Sequence, residues 1–457
     1  MHSSQTQYDI VVIGGGPVGT TAAALLSEKG YSVCLLEKTQ HPRFHIGESL
    51  LPMNLPILDH LGVLDDIKNI GIKKHAAEFN AMDPVTGQPK RTTFYFDQAF
   101  KRQYPHAYEV KRSEFDQILF NNCRHKGVQL LDKHQVTQVE FIAPGAVTLR
   151  YKNTSNDNHK NGTLHARFVI DASGRDSFLS RKLKLKQKNP HHQSSAIFGH
   201  FSGVERRSGK DEGNISLYWF EHGWFWLIPL SDGSMSVGAV CWPEYLKTIQ
   251  GSTEDFLWQT IHMNRQVAER MKHAQKLGEI RATGNFAYTS KRMWGRDFML
   301  LGDAFAFIDP VFSSGVYLGM SSAEKSVETI DQCLKNPEQA AQLCNRLEQH
   351  IRGGIKEISW FIYRFTSPAM QRLFMNPRNN WQLESAIISM LAGDFFDNKA
   401  VKIRLKIFHY IYYSHALRML PKALKSWWQR RRNVQVVFDK GTMQEDGLSQ
   451  ADLDKKP

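Results

Sequence analysis

Apolar and polar positions change period abruptly at the start of the chain. Tyr8-Asp9-Ile10-Val11-Val12-Ile13 is a short β-rich apolar run that breaks at Gly14-Gly15-Gly16-Pro17-Val18-Gly19. Thr20 to Lys29 then has small-residue helical patterning with Leu25 and Leu26, and Ser32-Val33-Cys34-Leu35-Leu36 is a second apolar run ending at Glu37. Strand, glycine turn, helix and strand in that order predict a parallel sheet. Phe168-Val169-Ile170 leads into Asp171-Ala172-Ser173-Gly174 as a further strand and turn, and Ser113 to Arg124 reads as a helix. Thr92 to Phe96 and Ser216 to Phe220 predict antiparallel strands, part of a substrate-side sheet inserted into the nucleotide fold. Residues 321–435 are mostly helical in pattern. The polar tail after Gly441 has too few apolar residues to pack and is expected to be disordered.

Length and composition narrow the class. At 457 residues the chain exceeds one domain of about 100–200 residues. Apolar residues at 41% and charged residues at 23% exclude a disordered, collagenous or repeat-built chain. No apolar stretch reaches the roughly 18 uncharged residues of a membrane span, and no basic region precedes the first apolar run. A cytoplasmic protein with nothing cleaved is the expectation. The five cysteines, Cys34, Cys123, Cys241, Cys333 and Cys344, are widely spaced without a C-x-x-C pair, which argues against a disulfide scaffold and a metal site.

The formal charge of +13 is concentrated late: residues 401–440 hold ten Lys/Arg against Asp439 alone. Ile403, Leu405, Phe408, Ile411, Tyr412, Ala416, Met419 and Leu420 interleave with these charges as a helix-period stripe expected to dock on the enzyme body. The cationic face is solvated, steers an acidic carrier protein, or touches anionic membrane. Nucleic acid is not expected, since no recognition motif is present.

Gly14-x-Gly16-x-x-Gly19 between a strand and a helix, with Glu37 18 residues after the last glycine, is a dinucleotide fingerprint in its structural context. The glycines allow a tight turn and close approach of a pyrophosphate, the helix N-terminus favours the anion, and Glu37 would bind the adenosine ribose. Met299-Leu300-Leu301-Gly302-Asp303-Ala304 resembles the Gly-Asp segment of the flavoprotein hydroxylase superfamily, which implies FAD, with Asp303 holding the ribityl chain. A strand-to-helix turn capped by Asp303 is the plainer alternative. Tyr108-Glu109-Val110-Lys111-Arg112-Ser113-Glu114-Phe115-Asp116 resembles the same superfamily's V-x-R-x-x-F-D stretch, which implies that Arg112 faces the cofactor; a solvent-exposed Arg112 on an N-capped helix is the alternative.

Three further segments resemble the flavin-dependent halogenases: Phe44-His45-Ile46-Gly47-Glu48-Ser49-Leu50-Leu51-Pro52, Gly223-Trp224-Phe225-Trp226-Leu227-Ile228-Pro229, and Asp309-Pro310-Val311-Phe312-Ser313-Ser314-Gly315-Val316. The resemblance spans about residues 8 to 415. It implies an α/β fold with an α+β insertion, a Rossmann-like FAD-binding fold of the hydroxylase type with an inserted antiparallel sheet and a helical C-terminal region. The expected boundaries are a core over 1–345, with FAD segments at about 1–75, 105–190 and 280–345 and the substrate-side sheet at about 76–104 and 190–280. A helical region over 346–440 and a disordered tail over 441–457 follow.

In this family reduced flavin reacts with oxygen to a hydroperoxide, halide attacks it, and the hypohalous acid passes along a tunnel to a lysine, which directs electrophilic halogen onto an electron-rich ring. The lysine forms a haloamine or hydrogen-bonds the acid. Lys74-His75-Ala76-Ala77-Glu78-Phe79 resembles the family's K-x-G-A-x-F and implies that Lys74 has this role, although Ala76 replaces the glycine and Lys73 competes because the segment from Gly71 is one residue short. Glu48 and Ser49 join Gly14, Gly16, Gly19, Glu37, Arg112, Gly302 and Asp303 as cofactor-binding residues. Backbone amides around Ser314 and Gly315 would bind halide, with a helix N-cap by Ser313 or Ser314 as the compatible alternative. Trp224, Trp226 and Pro229 would separate flavin from substrate, with strand core as the alternative for the tryptophans.

Phe312 stands where the tryptophan-halogenating branch has a glutamate, which points to the branch acting on phenols and pyrroles and puts Phe312 in the substrate pocket. The expectation is therefore a halogenase taking FADH₂ from a separate flavin reductase, using chloride or bromide, on an aromatic ring that is free or tethered to an acidic carrier protein. No oligomeric state follows, a dimer being one open outcome. The rivals are a flavin-dependent monooxygenase or epoxidase, a flavin reductase saturating isoprenoid chains, and an FAD-binding member without turnover.

Overall fold

The structure, a computed structural model, describes residues 6–83, 86–101, 103–155, 161–189, 193–248, 250–284, 287–419 and 428. The expected disordered tail, and the basic segment beyond residue 419 apart from Trp428, lie outside them. The chain divides into two compact units. One is built from Met1–Gly71, Val110–Lys188 and Tyr288–Glu357, the other from Ile72–Glu109, Asn189–Ala287 and the chain from Ile358 onward.

The first unit is organised by a parallel sheet. Gln7–Ile13 pairs with Val33–Glu37 on one side and Asn161–Asp171 on the other, Val12 standing opposite both Leu35 and Ile170. Phe298–Leu300 and Gln129–Asp132 extend the two sides in parallel. Ile10, Val11 and Val12 are all fully buried, the continuous apolar pattern of a strand covered on both faces. The crossover helix Pro17–Glu28 starts with Pro17, whose missing N–H costs nothing there. Two longer helices, Arg112–His125 and Ser314–Lys335, also belong to this unit. His134–Ala143 and Ala146–Asn153 form an antiparallel hairpin that extends from Asn161–Asp171.

The second unit is built on a seven-stranded sheet in the order Gln275–Thr283, Ser195–Ser202, Met235–Cys241, Gly223–Pro229, Ile215–Phe220, Ala76–Met82 and Pro89–Tyr95. Every pair is antiparallel except Ile215–Phe220 with Ala76–Met82. Side chains alternate across it. Phe201, Tyr218, Phe225 and Val237 pack with Phe256, Leu257 and Val267 from two helices on one face. Phe79, Phe94, Trp219 and Trp224 on the other face meet Phe365 and Phe374.

The C-terminal helix Lys399–Arg418 buries Val401, Leu405, Phe408 and Tyr412. That stripe corrects the sequence reading at Ile403, which is 59% exposed because Val401 takes the inward position one turn before Leu405. Leu420 lies outside the described residues.

Candidate functional site

In the first unit the glycines have separate jobs. Gly14 has φ +105°, and a Cβ there would stand 2.4 Å from the Ala172 carbonyl oxygen. A Cβ on Gly19 would come within 1.9 Å of the Gly14 oxygen, so this contact between helix and turn needs a residue without a side chain. Gly16 is different, since a Cβ would meet only Arg43 Nη2 at 3.7 Å. The space before the first turn of Pro17–Glu28 is therefore open, and no side chain caps that helix. Its first amides are left as an anion site.

Glu37 is buried and accepts hydrogen bonds from Gly15 N at 2.7 Å, Thr39 N at 3.0 Å and Thr39 Oγ1 at 2.7 Å, with Arg43 Nη2 at 3.7 Å. Burial favours its neutral form, but Arg43 and these donors outweigh it and hold the carboxyl below its usual range.

Arg112 is buried, not solvent-exposed. It makes a bidentate pair with Asp116 at 2.8 and 3.0 Å and donates from Nη1 to the Ile46 carbonyl at 2.7 Å. Gly47, at φ +108°, lies so close that a Cβ would be 2.9 Å from Nη1. Val110 N donates to the Glu48 carbonyl at 2.8 Å. The segment holding Glu48 and Ser49, both buried, is thus tied to the start of Arg112–His125. His45 beside it is pushed down to about 4 by burial and by Arg112.

Asp303 follows Phe298–Leu300 in a short turn. Gly302, φ +56°, donates its N–H to Ser322 Oγ at 3.2 Å and sits where a Cβ would be 2.8 Å from Val18 Cγ2. Desolvation pushes the Asp303 carboxyl up to about 6 against the opposing charges of Arg175, Arg112 and Lys186. Gly302, Asp303, Ile308, Gly315, Gly319 and Ser322 share the lining of one small cavity. The Gly-Asp turn and the Ser-Gly loop, about a dozen residues apart in sequence, line the same cavity.

In that loop Ser313 N donates to Pro310 O at 2.9 Å and Ser313 takes φ +56° immediately before Ser314–Lys335. Ser313 makes no side-chain cap, and the buried Ser314 Oγ has no hydrogen-bond partner among the described residues, so neither serine acts as the expected N-cap. A Cβ on Gly315 would meet nothing within 4 Å. Phe312 is buried.

In the second unit Lys74 ends the strand Ile72–Lys74, paired antiparallel with Ala107–Glu109. Lys74 is 1% exposed, whereas Lys73, on the other face, is exposed. Lys74 Nζ lies 3.9 Å from Glu109 Oε1 and 5.6 Å from the Phe96 ring centre. Burial lowers its pKa and the Glu109 charge opposes that shift. Asn214 Oδ1 accepts from His75 N at 2.9 Å and Ala76 N at 2.8 Å, fixing the chain just past the lysine. Trp224 and Trp226 are buried with their rings 5.9 Å apart. Trp226 donates to Ser236 Oγ at 3.2 Å and occupies the space over Gly238, where a Cβ would be 2.2 Å from its ring. Pro229, also buried, stands opposite Met235.

Sequence reasoning missed Arg43, Asp116, Asn214 and the pairing of Glu109 with Lys74. Asp116 alone had a signal, as the last residue of the V-x-R-x-x-F-D stretch.

The open anion site at Gly16, the fixed Glu37 carboxylate and the Asp303 turn fit FAD, and these features define an FAD-binding protein of the hydroxylase type. Residues 7–341 match the FAD binding domain family. A 1H-pyrrole-2-carbonyl-(peptidyl-carrier protein) chlorinase from Pseudomonas fluorescens is 28% identical, over 88% of this chain and 92% of its own length. A tryptophan 2-halogenase from Chondromyces crocatus is 34% identical, over 69% of this chain and 59% of its own length. The solved structure of the myxobacterial chondrochloren halogenase is 30% identical with a TM-score of 0.73, over 89% of this chain and 97% of that one.

The chain belongs to the flavin-dependent halogenases. Among the described residues no group of His, Cys, Asp and Glu could hold a metal ion, and no helix is long and apolar enough to cross a membrane.

Proposed function

We propose that this halogenase directs chloride or bromide, in oxidised form, from Lys74 onto an electron-rich pyrrole or phenol ring presented by an acidic carrier protein. The observation that carries this reading is the full burial of Lys74 beside Glu109. A lysine on a short strand is ordinarily solvated, and burying its ammonium is costly without a matching charge. Bound FAD, once reduced by a separate reductase, supplies the reaction with oxygen that oxidises the halide.

The protein's own groups do the rest. Amides at Gly16 and the first turn of Pro17–Glu28 hold the pyrophosphate, Glu37 the adenosine ribose, and Asp303 the ribityl chain. Arg112, locked on Asp116, fixes the loop containing Glu48 and Ser49. The amides of Ser314 and Gly315, with the unpartnered Ser314 hydroxyl and open space at Gly315, suit a halide at the N-terminus of a 22-residue helix. In the second unit the buried Trp224, Trp226 and Pro229 keep water out of the sheet. Buried Lys74 aims the halogen.

Two observations support a carrier-borne substrate. The chlorinase that matches across 92% of its length acts on a carrier-bound pyrrole by its name, as does a 28% identical brominase from Pseudoalteromonas luteoviolacea. Helix Lys399–Arg418 contains no acidic residue and exposes Lys399, Lys402, Lys406 and Arg418, a cationic face suited to an acidic partner. The test is intact mass of a pyrrolyl carrier protein and of small phenols after incubation with FAD, a flavin reductase, NADH, oxygen and halide. Halogen isotope patterns on the carrier-bound ring support the reading. Addition of oxygen alone would place the chain's activity with the monooxygenases.

A further inference from the structure

The role of Lys74 raises the question of what holds its amine, and the inference that follows rests on that role. On the ladder Ile72 stands opposite Glu109 and Lys74 opposite Ala107. Side chains two apart on a strand share a face, so Lys74 and Glu109 are diagonal neighbours on the same face, within reach of long side chains. Lys73 and Tyr108 take the opposite face, where Tyr108 Oη lies 3.3 Å from His106 Nε2. Lys74 and Glu109 are 1% and 0% exposed. Neither charge is well solvated, so each favours the other's ionised form, and Phe96 lies over the amine at 5.6 Å.

We propose that Glu109 is a positioning residue, whose carboxylate holds the Lys74 amine in place and keeps it protonated, so that Lys74 meets the oxidised halogen as a hydrogen-bond donor and not as a nucleophilic neutral amine. A haloamine route needs the free lone pair on Nζ. A buried carboxylate 3.9 Å away opposes loss of that proton. The ladder sets the geometry, because it places both long side chains on one face of the two-stranded pair.

The experiment follows Lys74 by NMR in the FAD-loaded full chain with ¹³C-labelled lysine, the resonance being identified by its loss in Lys74→Ala. In Glu109→Gln the Lys74 titration midpoint should fall by about 1–3 units, the range expected for losing an opposite charge at this distance. FAD affinity and the substrate KM should stay as they were, kcat for halogenation should drop by about 10²-fold, and Glu109→Asp should recover part of both effects. An unchanged Lys74 midpoint in Glu109→Gln, or halogenation at the original kcat, overturns the proposal. If Glu109→Gln does not retain FAD, the same two readouts are taken from Glu109→Asp, where an unaltered midpoint and kcat overturn it equally. Directed halogenation that survives Lys74→Ala sinks the role of Lys74 itself. Loss in Lys74→Ala with no effect of Glu109→Gln sinks the Glu109 proposal alone.

Discussion

Lys73 and Lys74 differ by one step along a strand, and that step puts one ammonium in water and the other in the interior. Local motifs named both as candidates, and the ladder with Ala107–Glu109 separates them by face. The glycine turn was more legible as a local motif: Gly14 and Gly19 are demanded by backbone contacts, whereas Gly16 leaves open the space in front of the helix. Arg43, Asp116 and Glu109 were not legible as partners, since nothing in spacing says which charge will face which.

The glycine positions yield a contrast. Gly19→Ala forces a contact with the Gly14 carbonyl and should destabilise the chain by about 1–3 kcal/mol, read as a lower denaturation midpoint with or without FAD. Gly16→Ala should keep the stability of the FAD-free protein and lose FAD affinity, because its Cβ fills the open anion site. Asp303 gives a pH-dependent prediction. Its carboxyl is held at about 6 in the fold, against an ordinary value of 3.8. The unfolded chain therefore ionises first as pH rises, and the fold carries a penalty that is absent below about pH 4 and complete above about pH 6. Asp303→Asn should stabilise the FAD-free protein by about 3 kcal/mol at pH 8, a gain that fades in thermal melts as pH falls from 6 to 4, while weakening FAD binding. A gain that grows towards low pH would contradict this assignment.

Among elements, strands were easiest to read where β-rich apolar residues ran on continuously, as at Ile215–Phe220 and Gly223–Pro229. Their partners were not, because the parallel pairing of Ile215–Phe220 with Ala76–Met82 joins segments far apart in sequence. The C-terminal helix was read correctly as a helix but rotated, with Ile403 assigned inward where Val401 belongs. The charged residues around Ile403 blurred the stripe that Leu405, Phe408 and Tyr412 define. Besides its ladder with Ala107–Glu109, the lysine strand is anchored by a side chain from a distant turn, since Asn214 accepts from two successive amides beyond Lys74. Asn214→Ala leaves the buried Ala76 amide and the half-buried His75 amide without that acceptor and should cost about 1–3 kcal/mol. Halogenation should fall while FAD affinity is kept, a split measured by turnover beside flavin titration.

For the whole molecule, the sequence announced an FAD fold with an inserted sheet, and the comparisons place the chain in the halogenase family. The surplus charge was visible from composition. Part of it lies on helix Lys399–Arg418, which exposes Lys399, Lys402, Lys406 and Arg418 and contains no acidic residue. If that face receives an acidic carrier protein, the double variant Lys402→Glu and Lys406→Glu should raise the KM for a carrier-bound ring by about tenfold, with FAD affinity maintained, and added salt should raise the KM of the unaltered enzyme. A KM indifferent to both salt and charge reversal would remove carrier docking from this helix.

We propose that one buried lysine aims the halogen. Its most direct measurement is the isotope pattern of the carrier-bound ring after reaction with Lys74→Ala and with the unaltered enzyme, each loaded with FAD and given the same reductase, oxygen and bromide. The account predicts a bromine isotope pair on one ring position with the unaltered enzyme and none with Lys74→Ala, although Lys74→Ala binds FAD equally well. An isotope pair at the same position and in the same yield from Lys74→Ala would contradict it.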